Sequence, residues 1–301
     1  KSILPEKLLN LLNLNLKNFD FEKTKFSSKN NFKFELDKSF KVKNLKLESQ
    51  INFNQMIYRN ESNYLDYFPD LKKNLFLDNH NLELNYEKNI LSVNGKGKVK
   101  VGDNSDRVEY FITKNNNDFE FETNLSLNKL TLKNQEIFKS NFPLTKDLID
   151  LKDHKLNIKF KNNKLYLNGE GNIRLENKFD NIEYSLFKNN DEFNLKSKID
   201  LKSISLKNQK NLKNFFPATK DLLDLKNNKI KMNYKNNFLS FSGSGQIKID
   251  KEFDNIDYFI SRESDETNFD INVDLKKTDF KIENINYKKN NNVITKLNIS
   301  G

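Results

Sequence analysis

The sequence predicts an all-β protein, mainly antiparallel, built as an elongated repeat array of four-stranded meanders with short helical connections. Three observations predict it. A unit of 74 residues recurs in register from Pro69 to about Phe280, so that Phe68-Pro69, Phe142-Pro143 and Phe216-Pro217 open three copies. Within each copy apolar and polar residues alternate over runs of strand length. The polar turns between those runs are short and rich in Asn, which allows only antiparallel neighbours.

Taken in order, residues 1–67 read as a degenerate leading unit. Leu8, Leu9, Leu11 and Leu12 suit a short helix after Pro5, and Leu45, Leu47, Ile51, Phe53 and Met56 stand one period before apolar positions of the next copy. Repeats follow at 68–141, 142–215 and 216–289, and 290–301 starts a further strand or unit; together they read as one continuous domain. The chain opens at Lys1 and closes at Gly301 directly after the strand-like Val293 to Ser300, so it is expected to be a segment of a longer protein.

The second repeat displays the strand plan. Leu156, Ile158 and Phe160 alternate up to a Lys161 to Lys164 turn, and Leu165, Leu167, Gly169, Gly171, Ile173 and Leu175 continue. Ile182, Tyr184 and Leu186 form a third strand, and Phe193, Leu195, Ile199 and Leu201 a fourth. The Gly-x-Gly pairs Gly95/Gly97, Gly169/Gly171 and Gly243/Gly245 sit at apolar parity in mid-strand, which predicts a bend or a close approach to the backbone. Apolar parity slips by one residue late in the fourth strand, which predicts a β-bulge at Asn128-Lys129, Lys202-Ser203 and Lys276-Lys277. In the connection Asn208 to Asn228, the spacing of Phe215, Phe216, Leu222, Leu223 and Leu225 predicts a short helix, with Pro217 near its start, Thr219 as a possible cap, and packing over one rim or end of the sheet.

Composition narrows the chemistry. There is no cysteine, so disulfides and thiolate sites are excluded. The net charge of +10 is spread along the array and reads as a solvated strand face, with no nucleic acid as partner. His80 and His154 are one period apart, but the third copy has Asn228; all three read as solvated turn residues, and no metal site is expected. Asp147/Asp150 and Asp221/Asp224 read as first-turn residues of the connecting helices. No catalytic residue and no cofactor is expected, and the chain reads as no enzyme.

What remains is an apolar face, expected to be free of charge from Leu82 to Ile282. Alternation leaves open whether its walls meet in a sealed sandwich or stay apart around an apolar filling. Antiparallel arrays with a Gly-x-Gly in a strand, a Phe-Pro connection and no catalytic residues resemble the repeats of the bacterial AsmA-like proteins, including the YhdP type, within the bridge-like lipid transfer proteins. The resemblance covers roughly residues 52–285. It implies a U-shaped β groove that carries phospholipid between membranes. It also implies a place at the periplasmic face of a bacterial inner membrane, with an anchor outside this chain and membrane surfaces as partners at the ends of the full-length chain. Lipid-contacting residues would be Leu91, Val93, Tyr110, Phe121, Leu125, Leu165, Leu167, Ile182, Tyr184, Leu195, Ile199, Phe241, Ile256, Tyr258, Phe269 and Val273. Two alternatives stand beside it: a structural or adhesive surface protein with a sealed core, and a lipopolysaccharide-transport-like β jelly roll.

Overall fold

A computed structural model of the protein describes residues 17–20, 24–60, 63–115, 118–209, 212–276, 278–289 and 293–301. The expected helix at Leu8 to Leu12 lies outside them. The strands are β1 (Phe19–Asp20), β2 (Phe26–Leu36), β3 (Val42–Arg59), β4 (Asn74–Glu87), β5 (Ile90–Lys100), β6 (Asp106–Asn115), β7 (Asp118–Lys133), β8 (Leu148–Lys161) and β9 (Lys164–Arg174). They continue with β10 (Asp180–Lys188), β11 (Phe193–Lys207), β12 (Leu222–Lys235), β13 (Phe238–Lys248), β14 (Phe253–Glu263), β15 (Glu266–Leu275), β16 (Lys281–Ile282), β17 (Tyr287–Lys288) and β18 (Thr295–Ser300). The protein is all-β. Sixteen strands make one open antiparallel sheet ordered β1-β3-β4 and onward in chain order to β15, then β18; β2 pairs β3, and β16 and β17 pair with each other.

Local chemistry explains why neighbours in sequence are neighbours in the sheet. The turns after β4, β8 and β12 place Lys88-Asn89, Asn162-Asn163 and Asn236-Asn237 at positive φ, from 43° to 75°. Two consecutive left-handed residues give the hairpin turn whose twist matches the strands, and Asn tolerates that conformation better than most side chains.

The chain divides into two compact units, Lys1–Leu130 with Asp153–Leu167, and Thr131–Lys152 with Asn168–Gly301. In the first, Leu47, Phe53, Leu91 and Leu127 are buried. In the second, one core cluster includes Ile149, Ile173, Leu175, Leu201, Ile204, Phe216, Leu225, Ile247, Ile256, Leu275 and Phe280.

The connections differ from the sequence expectation. The helical parts are brief, Glu136–Asn141 and Leu212–Phe215. Leu222, Leu223 and Leu225 are in β12, as Asp224 is, and Asp150 is in β8. The Phe-Pro pair ends the helical turn instead of opening it: Phe142 N–H donates to Phe138 O and Phe216 N–H to Leu212 O, after which proline cannot extend the ladder. Thr145 and Thr219 close the turn by donating N–H to the same phenylalanine's carbonyl. Both threonines are buried, and Thr219 caps no helix start. Asp147 and Asp221 pair with Lys139 and Lys213 across the connection. Asp150 accepts from Arg174 Nε at 2.7 Å.

The parity slip is present where expected in β7 and β11: Leu127 and Leu130, like Leu201 and Ile204, are buried three positions apart. Pairing of β11 with β12 nonetheless keeps one register across it, from Leu201↔Asn228 to Ser203↔Lys226. Within the repeats, register shifts lie on the first strand, between Asp78 and Asn81 against β5 and between Lys226 and Lys229 against β13; a further one lies in β2, between Lys33 and Glu35. At the third expected position β15 has ended at Leu275, and Lys277 lies outside the described residues.

Candidate apolar binding face

The third strand of each repeat sets the pattern of the face. At one parity it reads Asp106-Val108-Tyr110-Ile112-Lys114, Asp180-Ile182-Tyr184-Leu186-Lys188 and Asp254-Ile256-Tyr258-Ile260-Arg262. Cross-strand pairing turns these into apolar rows. In the first unit Leu84, Val93, Ile112 and Phe121 are successive partners. In the second, Leu186, Leu195, Tyr234 and Leu239 form one row, and Met232, Phe241, Ile260 and Phe269 another. The expectation of a charge-free face is therefore corrected, because each third strand brings a carboxylate at one end and a cation at the other.

The carboxylates are structural. Asp106, Asp180 and Asp254 are 0%, 2% and 1% exposed. Each accepts the backbone N–H at the parity slip, from Asn128, Lys202 and Lys276, at 2.8 Å in all three. A slip leaves a donor without a ladder partner, and a buried donor must be satisfied. Burial pushes the carboxyls of Asp106 and Asp180 up from the ordinary range, opposed by those same hydrogen bonds.

The Gly-x-Gly pairs make room for side chains of the protein itself. A Cβ on Gly95, Gly169 or Gly243 would lie 2.4 Å from the ring or hydroxyl of Tyr110, Tyr184 or Tyr258. One on Gly97 would meet His80 at 2.3 Å, and one on Gly245 would meet Asn228 at 2.4 Å. The tyrosines thus lie flat on glycine backbone. Burial raises all three hydroxyls, Tyr184 and Tyr258 to about 12.

His80, His154 and Asn228 are not solvated turn residues, being 1%, 2% and 0% exposed. The residues before them, Asn79, Asp153 and Asn227, have φ of 52°, 53° and 53°. At Asn79 and Asn227 this left-handed step is where the register shifts, and it swings the next side chain onto the apolar face. The His80 ring stacks on Phe53 at 4.9 Å; its Nε2–H donates to Lys98 O at 2.9 Å, and Nδ1 accepts from the Tyr110 hydroxyl at 3.1 Å. Asn228 substitutes for the imidazole by donating Nδ2–H to Gln246 O, the position two repeats beyond Lys98.

Burial holds His80 below its ordinary pKa, against the opposing pull of the Lys98 carbonyl and Asp78. The native state then prefers neutral imidazole, so the unfolded chain binds more protons between the two pKa values. The contribution of His80 to stability is complete above about 6.5 and is lost as pH falls below it. Urea midpoints measured from pH 8 to pH 5 should fall more steeply for the native chain than for His80→Asn, the side chain the third repeat uses.

Leu91, Ile256 and Val273 are buried, while Val93, Tyr110, Phe121, Leu125, Leu165, Leu167, Ile182, Tyr184, Leu195, Ile199, Phe241, Tyr258 and Phe269 are partly exposed. In the second unit exposure changes along the strands. Near the buried aspartates, Phe216 and Phe280 close over the sheet with ring centroids 5.3 Å apart. Towards the opposite strand ends, Leu186, Leu195, Tyr234, Leu239, Phe241 and Phe269 retain contact with solvent. The arrangement is a face sealed at one end and accessible at the other. Among the described residues, no helix is long and apolar enough to cross a membrane, and no three His, Cys, Asp or Glu side chains gather to hold a metal ion. Compared with protein-family models, curated proteins and solved structures, the chain matches none of them.

Proposed function

We propose that the chain holds lipid acyl chains against its apolar face and passes them along it without chemistry, as part of a conduit for phospholipid between membranes. In this reading the four-stranded repeats curl into a U-shaped groove at the periplasmic face of a bacterial inner membrane. The observation that carries it is the partial exposure of contiguous apolar rows in the second unit, where Leu195 stands between Leu186 and Tyr234. Apolar area left in water forgoes about 25 cal/mol per Å². An acyl chain laid across the row recovers that energy, and successive equivalent rows let it move on at little change in energy.

Leu195→Asp is the test. Because Leu195 already meets solvent, the new carboxylate can stay hydrated, and the urea midpoint should shift little. Co-purifying lipid should fall several-fold, since an acyl chain would have to desolvate a charge. Collapse of the fold, with no lipid on the native chain, would favour a sealed structural or adhesive protein.

A further inference from the structure

The lipid-binding reading leaves the headgroup unspecified, and the cations at the open strand ends bear on it. Lys188 and Arg262 belong to the second unit and continue the parity of Ile182, Tyr184 and Leu186, and of Ile256, Tyr258 and Ile260. Both are exposed, so they stand on the apolar side of the sheet at the rim where that side opens. Their strand partners on this face include Phe193 for Lys188 and Leu239 for Arg262. Lys114 occupies the equivalent place in the first unit, between Leu91 and Phe119.

Some charges on the opposite, polar side are matched in ion pairs. Lys198 pairs with Glu183 at 3.7 Å and Lys235 with Glu192 at 3.4 Å. Lys188 has no carboxylate partner among the described residues, and the Arg262 guanidinium donates to Ser264 O alone. The far end of the same series is closed to an anion, because Asp180 and Asp254 are buried carboxylates. Asp180 and Lys188 are roughly 27 Å apart at ~3.4 Å per residue, so the two ends of the face are distinct environments.

We infer that the face takes anionic phospholipid in one orientation, with the headgroup phosphate at the rim cation (Lys188 or Arg262) and the acyl chains running along the strands towards the buried aspartates. The inference rests on the lipid-binding reading. It adds selection by charge: an exposed cation beside apolar surface attracts a phosphate more strongly than a zwitterionic head, whose own ammonium opposes it. Four strand spacings of ~4.8 Å separate β10 from β14, about 19 Å, so each cation serves its own lipid.

The test uses the intact chain and two probes with the same fluorescent acyl chain, phosphatidylglycerol and phosphatidylcholine. Phosphatidylglycerol should bind more tightly. Lys188→Glu with Arg262→Glu should weaken it about tenfold while changing phosphatidylcholine less than about twofold, the size of one lost charge-assisted contact. Lys198→Glu, on the polar side, should change neither. Equal binding of both probes, unaffected by the rim substitutions, would overturn the headgroup inference and leave lipid binding intact. An equal loss from Lys198→Glu would overturn it in favour of general electrostatic attraction. Binding of neither probe would overturn the lipid reading and the inference with it.

Discussion

Gly169→Ala should lower stability by about 1–3 kcal/mol, the range for forcing extra atoms into a packed site. The added Cβ would lie 2.4 Å from Tyr184 Cζ and 2.5 Å from Cε2, closer than real contacts come. The atoms it meets are the outer end of the Tyr184 side chain, so the cost is that of lifting the ring off the glycine backbone. Gly102→Ala is the matched control, with Asp70 Cβ at 3.6 Å as the nearest atom, and should stay within about 0.5 kcal/mol of the native chain. A urea series on Gly169→Ala, Tyr184→Ala and the double variant checks the cause. If Tyr184 is what Gly169 accommodates, the double variant should lose less than the sum of the singles.

Asp254→Ala should cost about 3 kcal/mol. It leaves the Lys276 N–H without its acceptor at 2.8 Å and removes the acceptor of the Thr278 hydroxyl, and an unsatisfied buried donor costs about 1–3 kcal/mol. Asp254→Asn keeps an acceptor oxygen and should cost clearly less. At Asp106 the pH dependence gives a second check. Its folded carboxyl titrates above the ordinary value, so its favourable contribution is complete below about 3.8 and is lost as pH rises through the folded pKa. Asp106→Asn should remove that slope from the stability profile, while a variant of the exposed Asp103 should leave it in place.

Much of the fold was legible because hairpin chemistry is local. Asn-rich turns and period-2 alternation are sufficient to place strands such as Lys164–Arg174 and Asp180–Lys188. The connections are not legible in the same way, because Leu222, Leu223 and Leu225 also suit a helical face, and periodicity over so few residues cannot separate helix from strand. The same ambiguity conceals the first-strand bulge. Once Ile149 and Leu151 are in β8, the next inward residue at His154 is three positions on, the same slip that was visible at Leu201 and Ile204. The buried aspartates are inconspicuous in the sequence for a different reason. A charge at apolar parity looks like the end of a strand, and only its recurrence at Asp106, Asp180 and Asp254 marks it as a partner for the slipped backbone. The glycines were placed correctly but their occupant was not, since Tyr184 is fifteen residues away from Gly169 in sequence and meets it only through strand pairing.

Site-specific photo-crosslinking tests the central claim most directly. With the crosslinker at Leu195, on the partly exposed apolar row, the chain expressed in a bacterial envelope should capture phospholipid; at the adjacent Lys196, on the opposite side of the sheet, it should capture none. Capture of protein alone at Leu195, or equal lipid capture at both positions, would contradict an acyl-chain-binding face.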